Sequence, residues 1–275
     1  MQKLKFIYQD WNRAYYKLQS EEVTLRYYNN FYKNKMPKKL LQEHTKTVED
    51  WAKFAYTANK EFMKRMWAGE FSLEDKKNPG LFNDKVDEIA RIFNVTALFE
   101  ETNQPYAYLE LSGIFATLFF IDEKNRVYMQ YSFQNDTTNV EDKYKEPFKK
   151  GNLFLVELEI FIFPEEKTDG RWKNRDYISY AFNPDGYLLV TKIFDVHGEH
   201  LIEKYEAKEP VNVTSNWEPY PKFGEWDSIF RMKRWKEGEL ANLIDENDNS
   251  NTKNEDTPSS EEPPKRPPGA FSVFD

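Results

Sequence analysis

Gly151-Asn-Leu-Phe-Leu-Val-Glu-Leu-Glu-Ile-Phe-Ile-Phe163 is the stretch on which the fold turns. Read with a period of two, Phe154, Val156, Leu158, Ile160 and Ile162 form an unbroken apolar row. The other parity runs Leu153, Leu155, Glu157, Glu159, Phe161 and Phe163. Alternate residues of a strand face opposite sides, so the pattern predicts a long strand with one face in the core and two neighbouring carboxylates on the other. A strand this long and apolar belongs inside a sheet, because an exposed edge of that kind invites aggregation.

Around it, the period of two recurs. Strands are expected at 107–111, 113–121, 126–133, 152–163, 177–182, 186–195 and 200–205. Asp122-Glu-Lys-Asn125, Asn183-Pro-Asp-Gly186 and His197-Gly-Glu199 are turn sequences between them. Short turns make neighbours antiparallel, so this half reads as a meander of about six strands. The polar run 134–151 is too long for a tight hairpin and is a candidate binding loop.

The N-terminal part is helical in pattern. Residues 1–18 alternate weakly and allow a hairpin. Ser20-Glu-Glu22 supplies an N-cap and two carboxylates at the positive end of a helix dipole, and that helix is expected to run to about residue 35, before Pro37. Leu40, Leu41, His44, Val48, Trp51, Ala52, Ala55, Phe62, Met63 and Met66 recur at helical spacing, predicting one long helix over 38–67. Asn78-Pro-Gly80 is a turn, and Val86, Ile89, Ala90 and Phe93 suggest a shorter helix over 83–93. A further short helix is expected from 225 to about 236. The fold class is therefore α+β, with N-terminal helices packed on a mainly antiparallel meander. Three regions follow: a mainly helical 1–104, a β region 105–244 that forms one unit with it, and a disordered acidic, Pro-rich tail 245–275.

Composition bounds the chemistry. The 275 residues include no cysteine, which removes disulfides, thiolate metal sites and cysteine nucleophiles, and fits a reducing compartment. The opening Met-Gln-Lys-Leu-Lys-Phe has too short an apolar run for a signal peptide, and the apolar segment 113–121 is too short to span a bilayer. The expectation is a cytoplasmic protein that does not engage membranes. The net charge of −8 conceals a gradient: residues 1–70 carry 14 Lys and Arg against 8 Asp and Glu, while the remainder is acidic.

No catalytic signature emerges. Nucleophile elbows, phosphate loops and dinucleotide fingerprints are missing, so the chain is read as a non-enzyme needing no cofactor. Glu157 and Glu159 share a face about 7 Å apart. Such a pair could be the acid and base of a hydrolase, but glycoside hydrolysis brings its carboxylates from opposite sides of the substrate. Their ordinary reading is a solvated face carrying ion pairs, with Lys192 and Lys204 as candidate partners. Asp195-Val-His-Gly-Glu-His200 gathers His197 and His200 with carboxylates, weak candidates for metal ligation at a spacing that matches no helical zinc motif. His44 sits on an apolar helical face and is read as a packed residue. Tyr27, Tyr28, Phe31 and Tyr32 among lysines could form a nucleic-acid surface, against which the overall acidity weighs. Trp217, Tyr220, Phe223 and Trp226 lie in a proline-broken segment, and such aromatics serve either as a lid over the sheet or as anchors for a partner.

An acidic, aromatic-rich, cysteine-free body on an antiparallel sheet, with the segment Trp217-Glu-Pro-Tyr-Pro-Lys-Phe-Gly-Glu-Trp226, resembles the immunity proteins of bacterial polymorphic toxin systems. The likeness covers at best residues 1–240 and is one of general character, with no diagnostic motif. It implies stoichiometric binding of a cognate protein toxin, such as a basic nuclease, with Glu157, Glu159, Trp217, Tyr220, Phe223 and Trp226 as partner-binding residues. Two alternatives stand beside it. One is a phage or mobile-element protein that binds single-stranded nucleic acid, suggested by the acidic tail ending in Phe271, Phe274 and Asp275. The other is a hydrolase using Glu157 and Glu159.

Overall fold

The computed structural model describes residues 2–68, 91–136, 140–163, 176–196 and 199–235. The turn expected at 78–80, most of the helix expected at 83–93, the tail 245–275 with its Phe271 and Phe274, and His197 lie outside them.

The fold is α+β. A 10-stranded antiparallel sheet, where about six strands were expected, carries its longest helix on one face. In chain order the elements are β1 (Leu4–Ile7), β2 (Trp11–Asn12), β3 (Lys17–Leu18), α1 (Glu21–Tyr32), α2 (Lys38–His44), α3 (Val48–Trp67), β4 (Ile92–Phe99), β5 (Pro105–Ser112), β6 (Phe115–Ile121) and β7 (Val127–Gln134). Then come α4 (Lys145–Lys149), β8 (Asn152–Ile162), β9 (Asp176–Phe182), β10 (Leu188–Val196), β11 (Glu199–Glu206) and β12 (Trp217–Pro219). The strand order is β1-β4-β5-β6-β7-β8-β9-β10-β11, with β12 added to β8, while β2 and β3 form a separate hairpin. Each of the seven strands expected from the period of two is present. The additions are β1, β12 and β4, and β4 absorbs the end of the expected 83–93 helix. Phe93, Val95 and Ala97 alternate with Asn94 and Thr96, and the sheet enforces that period over the helical spacing of Phe93 with residues 86–90.

The central strand is β8, bonded along both edges. β7 runs along one side, and the other side is shared: β9 pairs with Glu157 to Ile162, and β12 pairs with Asn152 to Phe154. Asn216 fills the gap between them by donating its side-chain amide to the Leu155 carbonyl at 3.0 Å. The register against β7 steps from Ser132↔Glu157 to Phe133↔Leu155, so Val156 is the extra residue of a β-bulge. This breaks the apolar row read from Phe154 to Ile162. Leu155 joins Leu158 on the core face, opposite Phe133 and Tyr131, whereas Phe154 turns to the face of Glu157. There Phe154 meets Phe148 of α4 at 6.4 Å and Trp217 at 4.8 Å.

The core face, termed inner below, includes the row Val95, Leu109, Leu118, Tyr131, Leu158, Tyr180, Val190. Against it pack Trp51, Ala52 and Ala55 of α3, together with Trp226, Ile229 and Phe230. The single helix expected over 38–67 is two. Thr45 and Lys46 break it, and Thr47 caps α3 by accepting from the Asp50 amide at 3.0 Å. A hydroxyl at that position offers the backbone a cap instead of continued helix. α1 starts as expected, its Ser20 hydroxyl accepting from the Val23 amide. It lies along the edge of β4 that short β1 leaves bare. The Tyr28 hydroxyl accepts from the Asn94 amide at 2.9 Å and the Tyr32 hydroxyl from the Ile92 amide at 2.7 Å, while Trp51 Nε1 donates to the Ile92 carbonyl at 3.0 Å. Backbone groups that would otherwise be buried without partners are thereby satisfied.

Residues 218–235 form a strap over the inner face, with turns where a helix was expected from 225. The strap is pinned by an ion pair between two buried residues: Glu218 accepts from Arg234 at 2.7 Å and from the Ser228 hydroxyl. The Arg234 guanidinium also lies 4.7 Å from the centre of the Phe133 ring, and burial pulls its pKa below the usual arginine value against the opposing pull of Glu218.

The β9–β10 turn requires its glycine. Gly186 adopts φ +93°, and a Cβ there would meet the Val211 carbonyl oxygen at 2.8 Å and Pro210 Cβ at 2.9 Å. Gly186→Ala is expected to cost about 2 kcal/mol through backbone strain and this clash, read as a lower urea midpoint at unchanged m-value.

Candidate functional site

The outer face of the sheet is different in character. One row across it runs Glu110, Thr117, Ser132, Glu157 and Ala181, and the next runs Tyr108, Phe119, Gln130, Glu159, Ser179, Thr191 and Lys204. Hydroxyl, amide and carboxylate groups thus occupy positions that on the inner face are aliphatic or aromatic. Ser179 donates its hydroxyl to Glu157 at 3.0 Å, and Gln130 donates to Ser132 at 3.2 Å. Glu157 and Glu159 therefore share the outer face, as their spacing predicts, and α2 and α3 pack on the opposite one. Lys192 does not join them, because its register with Ile178 puts it on the inner face, over the Tyr205 ring at 4.8 Å. Lys204 shares the row of Glu159 three strands away, about 14 Å.

At the β4–β6 end of this face the β2–β3 hairpin folds over the sheet. Trp11 stacks near Tyr108, which stacks on Phe119 at 4.5 Å. The Arg13 guanidinium sits 3.7 Å from the centre of the Phe119 ring, donates to Glu110 Oε1 at 2.7 Å and donates to the Tyr108 hydroxyl. Between the hairpin, α1 and β4–β6 lies a cavity of about 320 Å³, with Asp10, Arg13, Tyr27, Asn94, Glu110 and Thr117 in its wall. Asp10 is held there by its neighbours. Its backbone amide donates to the Thr24 hydroxyl at 3.1 Å, and its carboxylate accepts from Asn94 Nδ2 at 2.8 Å. Burial first, then the charge of Glu110, pushes its pKa up to about 7, while the Trp11 amide and Arg13 pull the other way.

The aromatic run lies elsewhere. Trp226 is 0% exposed and packs against Phe93 and Tyr56, so in this arrangement it offers no surface to a partner. Phe223 stacks on Tyr8 at 5.1 Å, the Tyr220 hydroxyl is buried, and Trp217 packs on Phe148 at 4.8 Å. Tyr220, Phe223 and Trp226 close the inner face, whereas Trp217 stands opposite Phe154 and packs with it on the outer face at the α4 end. His44 stacks on Phe54 at 4.0 Å. His200 stands opposite Asp195 in the β10–β11 pairing, and no group of three or more His, Cys, Asp or Glu side chains suited to a metal occurs among the described residues. The expected loop at 134–151 contains α4, whose Phe148 is buried.

Asp10, Arg13 and Glu110 escaped the reading of the sequence. Glu110 alone left a trace, as the one acid in the apolar run from Tyr106 to Leu111. Its proximity to Asp10 depends on β4 lying between β1 and β5, a pairing across a hundred residues. No family model, curated protein or solved structure matches the chain.

The Asp10 proton has a definite sign in stability. The unfolded chain releases it near the ordinary value of 3.8, whereas the folded protein holds it to about 7. Between those limits the folded state binds more protons, so this group makes stability fall as pH rises. Urea unfolding of Asp10→Asn and the parent is expected to show a stability gap that widens in favour of the variant by up to about 1.4 kcal/mol per pH unit between pH 4 and 7, and is flat above. A gap that does not change with pH would mean that Asp10 is not held protonated.

Proposed function

We propose that the protein is a non-catalytic binding protein that takes a basic protein partner on the outer face of its sheet, in the manner of an immunity protein neutralising a cognate toxin. The observation that carries the reading is the contrast between the faces. One is covered across β4 to β9 by helices and the aromatic strap; the other presents Glu157 and Glu159 amid Ser132, Gln130, Ser179 and Thr191, on strands fixed along both edges. A rigid sheet face of this kind places acceptors with little ordering cost on binding, and acidic complementarity steers a basic partner into register. The aromatic segment enters this reading as scaffold: it holds the inner face closed and fixes β12 against β8. The partner-binding residues are accordingly Glu157 and Glu159.

The test is coexpression with the product of the adjacent gene, with the complex quantified by calorimetry. A one-to-one complex is expected. The double reversal Glu157→Lys with Glu159→Lys is expected to weaken it at least about tenfold, while Glu61→Lys on the exposed side of α3 changes affinity by less than about twofold. Absence of a complex would remove the toxin reading, and equal affinity of the double variant would remove the outer face as the docking surface.

A further inference from the structure

The cavity under the β2–β3 hairpin is chemically distinct from the surface around Glu157. Among the described residues its charged groups are Asp10, Glu110 and Arg13. Arg13 is committed to Glu110 and to the Tyr108 hydroxyl, and among the described residues no Lys or Arg forms an ion pair with Asp10. Among the described residues the cavity therefore has one carboxyl group in excess, set in a wall otherwise rich in apolar and aromatic surface. Tyr27, 41% exposed, stands over the opening from α1, with Phe115 and Ile92 also in the wall. Two further wall side chains are more than nine-tenths buried and keep a polar atom without a partner: the Trp11 indole N–H and the Asn94 carbonyl oxygen, at 4% and 3% residue exposure. Buried groups left in that condition are rare in folded proteins and mark places where a ligand or water belongs.

We propose that this cavity binds an organic cation, a guanidinium or an alkylammonium group, with Asp10 as its counter-ion and Tyr27 as its aromatic wall. The volume suits one such group and a short alkyl chain, in the lower range of small-molecule sites. A planar guanidinium gives up less hydration than a compact ammonium on entering and stacks on a tyrosine ring, so it is the better fit of the two.

The groups facing Asp10 are Glu110 and Tyr108 from β5, Arg13 from the hairpin, Asn94 from β4, and Thr24, Tyr27 and Tyr28 from α1. The cation replaces the proton that neutralises Asp10 in the empty site, so binding releases a proton wherever Asp10 is protonated beforehand. Affinity should accordingly rise with pH up to about 7 and level off above.

Two sources carry this chemistry, a free amine or guanidine and the side chain of an arginine or lysine on a bound protein. The proposal stands whether or not the outer face takes a protein partner, and its test needs none. The full-length protein is titrated by calorimetry with agmatine and with N-acetyl-argininamide, up to about 10 mM, at pH 6 and pH 8. Binding of at least one is expected, weaker at pH 6 by up to about tenfold per pH unit below 7, and lost by at least about tenfold in Asp10→Asn. Thr117→Phe, which fills the cavity from β6, should abolish it as well, with circular dichroism verifying that both variants fold. Tighter binding of agmatine assigns the site to a free guanidine, and tighter binding of N-acetyl-argininamide assigns it to a protein side chain. Failure of both probes to bind, or equal binding by Asp10→Asn, would overturn the proposal.

Discussion

The structure depends on the double commitment of β8. A strand bonded along both edges cannot slide without disturbing both neighbours, and β8 answers to three: β7 on one side, β9 and β12 on the other. The bulge at Val156 reconciles demands that a regular strand could not meet. Without it, Leu153 and Leu155 would share the outer face with Glu157, and Phe154 would take their place in the core. With it, two leucines turn inward, Phe154 turns out under α4 and β12, and the carboxylates remain on the outer face. One extra residue thereby sets which way residues 153–155 face relative to the rest of the strand.

The remaining elements follow from closing one side. α3 and the strap from Glu218 to Trp235 cover the inner face, and α1 satisfies the bare edge of β4 with two tyrosine hydroxyls. The charges buried beneath the strap engage one another: Glu218 is held by Arg234 and Ser228, and Arg234 also rests on Phe133. Removing one partner of such a pair would strand the other charge, a cost of about 3–5 kcal/mol, whereas an apolar replacement of both need not destabilise. Polar and charged groups gather instead on the outer face and at the cavity under the hairpin.

Local pattern made most of this legible. Strand periodicity placed seven strands, Ser20 marked the start of α1, and Asn183-Pro-Asp-Gly186 marked a turn. What local pattern could not convey was phase and distance. The bulge at Val156 leaves no local signal, since Leu, Phe and Val are acceptable on either side of a strand. β4 was obscured because Phe93 fits a helical spacing as well as a strand spacing. Thr47 acting as a cap divided a helix whose apolar stripe runs on uninterrupted. The four aromatics from Trp217 to Trp226 looked equally suited to lid or anchor, and burial places Trp226 inside. Asp10 and Glu110 meet only through pairings between β1, β4 and β5.

The central claim is that function resides on the outer face and not on the helical side. Carboxyl footprinting of the protein, alone and in complex with the product of the adjacent gene, tests this most directly, because acidic residues mark both sides. Glu49 and Glu61 of α3 report the helical side, and Glu157 and Glu159 the outer face. The account predicts that labelling of Glu157 and Glu159 falls on complex formation while that of Glu49 and Glu61 is unchanged. Protection of Glu49 and Glu61, with Glu157 and Glu159 labelled as in the free protein, would contradict it.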